Sequence, residues 1–407
     1  MSSNLDAVME EGQNVVVVTK EQPSSGDGSQ PSSPTESEQH QPQPFKTVEM
    51  QLERFGKIKV HIQVTKNSIY SMITFEGDLQ EKNKKAVFLT VHDIGSNHSS
   101  FRDFIEHRCM SEIKYRSIFI HLDLPGQDDN ASDFEDEYPT IQQLGEEFIA
   151  QVLDNLKVNL VVGIGEGAGA NILVRFACKH TSRCLGLVLI DLVTAGVGML
   201  EKLKESFFSG KRRASEAFQS PEQVIALHKL GSTSTTTTTT ESNQLLIDYK
   251  TRVANLNAKN LRKYVEAYMN RKDITDKMHA IHRLDTLLVT GGKSPFATGV
   301  SNIYSKMDKE KTSMLKIDQV SDVLSETPEK FAQSLLLFVK GLGYLTSLTL
   351  PGVERQRTFS GESNELPNKS LGAIGRRRTL SMEEYDLPRP RRLSLTTAAG
   401  NQQSPTK

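Results

Sequence analysis

Residues 159–179, NLVVGIGEGAGANILVRFACK, run from a buried-strand pattern through a glycine-rich turn into a helical pattern. Turns of this kind either cradle a phosphate at a helix N-terminus or present a nucleophile from a tight strand-to-helix reversal. They also occur as plain structural joints. Gly163, Gly165 and Ala168 satisfy G-x-G-x-x-[GA], and Asp191, closing the next strand pattern, imitates the acid that binds a ribose. Asp191 lies 28 positions after Gly163, beyond the ~20 of that motif. At least two buried strands also precede the turn, whereas the dinucleotide motif opens its domain. No cofactor is expected.

Read as a nucleophile elbow, the turn has Gly163 and Gly167 in the small positions and Gly165 where the nucleophile belongs. Glycine has no side chain to form an acyl intermediate. In LLVTGGKSPF, Ser294 stands where the acid of a triad would follow its strand. In KIDQVSDVLSETPEKF there is no histidine, and Ser321 is nearest the expected place. Three vacancies together point to a lost acyl-transfer site. TVHDIGS keeps the form of a loop that supplies oxyanion donors, with His92 as a structural loop histidine. His279 and His282 have i, i+3 spacing but no carboxylate or Cys beside them, so no metal is expected. A relocated site would draw on Asp93, Asp123 or Glu166, the last of which is also well placed to stabilise a helix N-terminus.

The elements that would position these residues alternate. KIKVHIQV and SIYSMITFEG alternate in period two around Asn67, which predicts a hairpin. AVFLTV, RSIFIHLDL, CLGLVLIDL and RLDTLLVTGG are apolar runs of the kind found in strands covered on both faces. Thr140 with Gln143 forms a capping box, followed by Leu144, Phe148, Val152 and Leu156 at four-residue spacing. A last helix opens at Pro328 and packs through Phe331, Leu335, Phe338 and Val339. The expected fold is α/β, doubly wound, of the α/β-hydrolase kind, with an N-terminal hairpin and a helical cap insertion at about 195–280. The tract GSTSTTTTTTES (231–242) predicts a disordered loop within that cap. Residues 1–47 and 346–407 are expected to be disordered tails around a domain at 48–345. Within the first tail, NVVVVTK is the one run that could pair with a sheet edge.

The hydrophobic fraction of 37% lies below the ~45–50% of a globular domain, as polar tails would make it. With 49 basic and 50 acidic residues, nucleic-acid binding is not expected. Three cysteines without metal spacing fit a reducing, cytoplasmic setting. No run of ~18 apolar residues offers a membrane span.

The tail repeats RQRTFS, RRRTLS and RRLS. Arginine stands at −5 and −3 before Ser360 and Ser381, and at −3 before Thr358, Thr379 and Ser394. KRRAS places arginines likewise before Ser215. An acidic kinase groove pairs its carboxylates with guanidinium forks at such fixed offsets. From Glu354 onward ten basic residues face six acidic ones, a net of +4 that several phosphates, at about −1.5 to −2 each, would reverse. The alternative is a basic solvating tail, or one that touches anionic lipid or nucleic acid.

LTVHDIGSNHSSF, HLDLPGQ, VVGIGEGAGANILVRFA, GLVLID and FVKGLGYL resemble blocks of the N-myc downstream-regulated (NDRG) family over roughly residues 48–344. The resemblance implies an α/β-hydrolase fold without hydrolase activity, cytoplasmic residence, and roles in stress response, differentiation and signalling. It also implies a tail phosphorylated by a basophilic, AGC-type Ser/Thr kinase and protein partners still to be identified. The chain departs from the family in DLVTAGVGM after LVLI, in having no Trp at the start of the cap, and in the threonine tract. A hydrolase or lyase with a relocated nucleophile, and a lipid-binding or small-molecule module using the vacated pocket, are the alternatives.

Overall fold

The computed structural model describes residues 17–18, 45–63, 85–196 and 240–349. SIYSMITFEG, GMLEKLKESFF, Ser215 and the tail sites Thr358, Ser360, Thr379, Ser381 and Ser394 lie outside them. The chain divides into two compact units, Met1–Ala332 and Gln333–Lys407.

Among the described residues, the first unit is built on a nine-stranded sheet in the order β1-β2-β3-β5-β4-β6-β7-β8-β9. β1 (Val17–Val18) pairs antiparallel with β2 (Phe45–Leu52), so part of the N-terminal valine run does join the sheet edge. β2 forms a hairpin with β3 (Gly56–Gln63) in a register running from Leu52↔Gly56 to Phe45↔Gln63. KIKVHIQV therefore has its hairpin partner upstream of it, not downstream as its alternation suggested. The expected domain start at 48 is also late, because the strand opens at Phe45.

β4 (Ala86–Val91), β5 (Ser117–Leu122), β6 (Val161–Glu166), β7 (Cys184–Ile190), β8 (Asp285–Gly291) and β9 (Thr312–Ile317) run parallel. β4, β5 and β6 are buried at every position, which is why their sequences are apolar without alternation. Helices cover the sheet. α1 (His98–Glu106) follows β4, and the short α2 (Ser111–Tyr115) leads into β5. The helix α3 consists of Ile141–Gln143, a π-turn Leu144–Phe148, and Ile149–Asn155. Its capping box is present as predicted: the Thr140 hydroxyl accepts from Gln143 N, and Gln143 Oε1 accepts from Thr140 N. Leu144, Phe148, Val152 and Leu156 are all buried. α4 (Ala168–Lys179) follows β6.

α5 (Thr240–Ala254) and α6 (Ala258–Met269) form the described part of the cap. The predicted 231–242 loop is corrected here, since Thr240–Ser242 already belong to α5. The buried Asn260 of α6 holds the segment after β5: its Oδ1 accepts from Phe134 N, and its Nδ2 donates to Gly126 O and Ser132 O. α7 (Ala297–Lys306) follows β8, and α8 (Val323–Glu326), capped by Asp322, follows β9. α9 (Pro328–Gly341) opens at the predicted proline. In the first unit its Phe331 packs on Phe104, with ring centroids 5.0 Å apart. In the second unit the helix closes with Tyr344 N bonded to Val339 O, and Gly343 takes the left-handed conformation at φ 92°.

The reciprocal cap fixes where α3 begins, so Thr140→Ala is expected to lower stability by ~1 kcal/mol. Urea unfolding with a reduced midpoint and an unchanged slope checks it.

Candidate functional site

The carboxyl ends of β4 to β9 carry the candidate residues, apart from His279 and His282, which precede β8. β6 ends at Glu166 and α4 begins at Ala168, so one residue makes the reversal. That residue is Gly167, at φ 51° and ψ −110°. Gly165, the expected nucleophile position, is instead inside β6, paired with Val91 on one side and Leu189 on the other. A Cβ there would lie 2.7 Å from the Ala170 amide nitrogen, so Gly165 lets strand and helix pack backbone to backbone. The same small-x-x-x-small spacing is met two residues later, with Gly165 and Gly169 flanking Gly167. The elbow pattern fits both registers of GIGEGAG, and only the backbone decides between them.

The space over Gly167 is filled. A Cβ on Gly167 would come within 2.3 Å of the Asp93 carboxylate. Asp93 Oδ1 accepts from Ile94 N and from Ala168 N, both at 2.8 Å. These donors are the amide after the turn and an amide of the loop after β4. They match the pair that forms an oxyanion hole in this architecture. Asp93 is 1% exposed.

His92 is the structural histidine expected. Its Nε2 accepts from Leu124 N at 3.1 Å, so the ring is held as the Nδ1–H tautomer, donating to Asp93 O at 2.8 Å. Burial lowers its pKa, in keeping with a neutral ring. Ser294 follows β8 and accepts from Phe296 N at 3.2 Å, closing its own turn. Ser321 follows β9 and donates its amide to Glu326 Oε1 at 2.8 Å. Asp191 accepts from the Thr290 hydroxyl at 2.6 Å, which ties it to β8. Glu166 is buried at the end of β6. His279 and His282 line a cavity of about 390 Å³ with Leu192, Val193, Phe296 and Met307, and Gly167 is not part of its lining.

The sequence reading missed a buried polar cluster. Thr47, His61 and His121 stand opposite one another across β2, β3 and β5, and Thr90 stands opposite His121 on β4. Thr47 Oγ1 lies 3.0 Å from His61 Nδ1, and Thr90 Oγ1 lies 2.8 Å from His121 Nδ1. Asp123 accepts from His61 Nε2 at 3.0 Å, from His98 Nδ1 at 2.8 Å and from His98 N at 2.7 Å. Burial alone would raise the Asp123 carboxyl, but the hydrogen bonds from His61 and His98 outweigh it and hold it below the usual carboxylate range. Burial pushes His121 down to about 3, and His98 and His61 add to the effect. Asp93 and Asp123, weighed as carboxylates of a relocated site, are each held by their own donors.

His61, His98 and Asp123 are the group among the described residues that could hold a metal ion. The ring geometry opposes it. The two imidazoles are stacked 3.6 Å apart at 20°, whereas rings whose in-plane lone pairs meet on one ion must splay away from it. Cys109, Cys178 and Cys184 are free thiols.

Residues 60–346 match the Ndr family. The chain is similar to an uncharacterized protein of Caenorhabditis elegans, 38% identical over 322 residues that cover 79% of this chain and 90% of that one. NDRG1-B of Xenopus laevis is 31% identical over 295 residues, covering 70% and 71% of the two chains. NDRG2 of Homo sapiens is 29% identical over 298 residues, covering 72% and 77%. Among solved structures, a thermophilic esterase from Thermogutta terrifontis superposes with a TM-score of 0.53 at 16% identity, over 73% of this chain and 98% of that one. The α/β-hydrolase enzyme MGS-M2 from a deep-sea metagenome gives 0.50 at 14% identity, over 70% and 94%. Identities this low show the fold, and the fold is that of the α/β hydrolases. Among the described residues no helix is long and apolar enough to cross a membrane.

The buried His121 carries a pH consequence. Its folded pKa of about 3 lies below the ordinary ~6.5. Between those values the unfolded chain binds more protons than the folded one. Stability is therefore full above about pH 6.5 and falls on acidification towards pH 3, by up to ~1.4 kcal/mol per pH unit from this group. Urea midpoints between about pH 6 and about pH 4 should decline less steeply for His121→Gln than for the wild type. Parallel declines would refute the assignment.

Proposed function

The chain belongs to the Ndr family, and on that premise we propose that it is a non-catalytic α/β-hydrolase-fold protein that acts by binding, in signalling, stress response or differentiation, under control of tail phosphorylation. One observation carries the non-catalytic part: the strand-to-helix turn holds Gly167, and the Asp93 carboxylate fills the space a nucleophile would need. Ser294 and Ser321, in the loops where a hydrolase keeps its acid and its histidine, support the same reading. The three free thiols agree with a reducing, cytoplasmic setting.

The regulatory part rests on the paired Arg-x-Arg-x-x-Ser repeats ending at Ser360 and Ser381, with Thr358, Thr379, Ser394 and Ser215 as further acceptors. A basophilic kinase is the partner these offsets fit. The net charge of the tail changes sign on phosphorylation, so a protein or anionic-lipid partner would distinguish the two forms. The cavity of about 390 Å³ supports a second reading, a small-molecule or lipid-binding module, in which ligand enters beside His279 and His282 and not at Gly167.

Purified protein should turn over short-chain aryl esters no faster than a tag-only control; activity above that control would sink the non-catalytic reading. Arg357→Ala and Arg378→Ala should cut phosphate incorporation at Ser360 and Ser381 by about tenfold or more, since each removes charge-assisted contacts. Undiminished labelling would count against the kinase-groove argument.

A further inference from the structure

Helix α4 has no cap of its own: Gly167, at its N-cap position, offers no side chain to the first-turn amides. The group that serves the Ala168 amide comes from Asp93, 75 positions upstream. One oxygen, Asp93 Oδ1, receives both Ala168 N and Ile94 N at 2.8 Å, from two different loops. Donors at 2.7–3.1 Å from a single anionic oxygen are what a tetrahedral intermediate or a product acid meets in a working hydrolase. The rest of the carboxylate crosses the space above Gly167, with Cγ, Oδ1 and Oδ2 all 2.3 Å from where a Cβ would stand. Burial to 1% exposure withdraws the charge from water, so the two amides and the N-terminal end of α4 supply its solvation.

We propose that the chain has kept a working oxyanion hole as a binding site for a carboxylate, and that Asp93 is its permanent occupant. The hole is shaped for the acid product of the reaction the fold otherwise performs, and the protein supplies that acid from its own chain. The site is closed to exogenous substrate from within, independently of the missing nucleophile. This deepens the non-catalytic reading and rests on it only for the placing of Gly167 at the turn. Its test reads occupancy of the hole, not turnover, so the two can fail separately.

Asp93→Gly removes the equivalent of one acetate from the hole. The variant should melt below the wild type, and acetate or formate should restore part of the loss. At ten times its dissociation constant the added acid is expected to raise the melting temperature by roughly 3–6 °C. Sodium chloride at matched ionic strength and the neutral isostere acetamide should not, and the wild type should not respond to acetate. A variant that acetate and formate move no more than they move the wild type overturns the proposal. Asp93→Asn supplies a second reading should the glycine variant not fold. It keeps the shape and an acceptor oxygen but loses the charge, so it should melt below the wild type. Equal melting temperatures would mean that the hole needs only a neutral helix cap, and the proposal would fall.

Discussion

One buried carboxylate ties the middle of this sheet together. Asp93 leaves the end of β4 and satisfies an amide of its own loop and the leading amide of α4, which stands on the neighbouring strand β6. The arrangement sets conditions on everything around it. The turn must be glycine, because any side chain would enter the carboxylate. The strand before it must also be slim, since β6 and α4 meet backbone to backbone at Gly165. His92 must be neutral to accept from Leu124 N, and its proton is placed on the carbonyl of Asp93. An α/β-hydrolase scaffold is organised here around a buried carboxyl group at the strand-to-helix turn.

The polar rung on the other side of β4 shows a different use of burial. Four side chains from four strands, Thr47, His61, His121 and Thr90, occupy one row of the sheet. Such a row is tolerable only if its members satisfy one another, and Asp123 supplies the acceptor that lets His61 and His98 stack face to face. The cluster lies beside the oxyanion loop, because His98 opens α1 directly after it. It fixes the approach of that loop to the β5 end of the sheet.

Much of the fold was legible because its signals are local. The buried parallel strands are uninterrupted apolar runs, the Thr140–Gln143 box names its own helix start, and Pro328 opens α9. Four features were not legible, each for a physical reason. The partner of KIKVHIQV is chosen by the three-residue turn 53–55, not by which flanking segment alternates better. The helix α5 takes its first turn from a threonine tract whose composition predicts loop. In GIGEGAG a glycine stands at every second place, so the small-residue pattern is met twice, and the choice of Gly167 is made by backbone dihedral and by a contact with Asp93 far away in sequence. The histidine cluster was invisible for a similar reason: cross-strand register sets His61 beside His121, and the loop after β4 brings His98 to Asp123.

The fit between Asp93 and Gly167 also acts on the paths by which this sequence can change. A serine at 167 would collide with the carboxylate, while replacing Asp93 alone would leave two buried donors unserved, one at the head of α4 and one in the loop after β4. Each single change is costly, so the two positions can vary freely only together. The two positions therefore act as one unit of sequence, although one lies in the loop after β4 and the other at the head of α4.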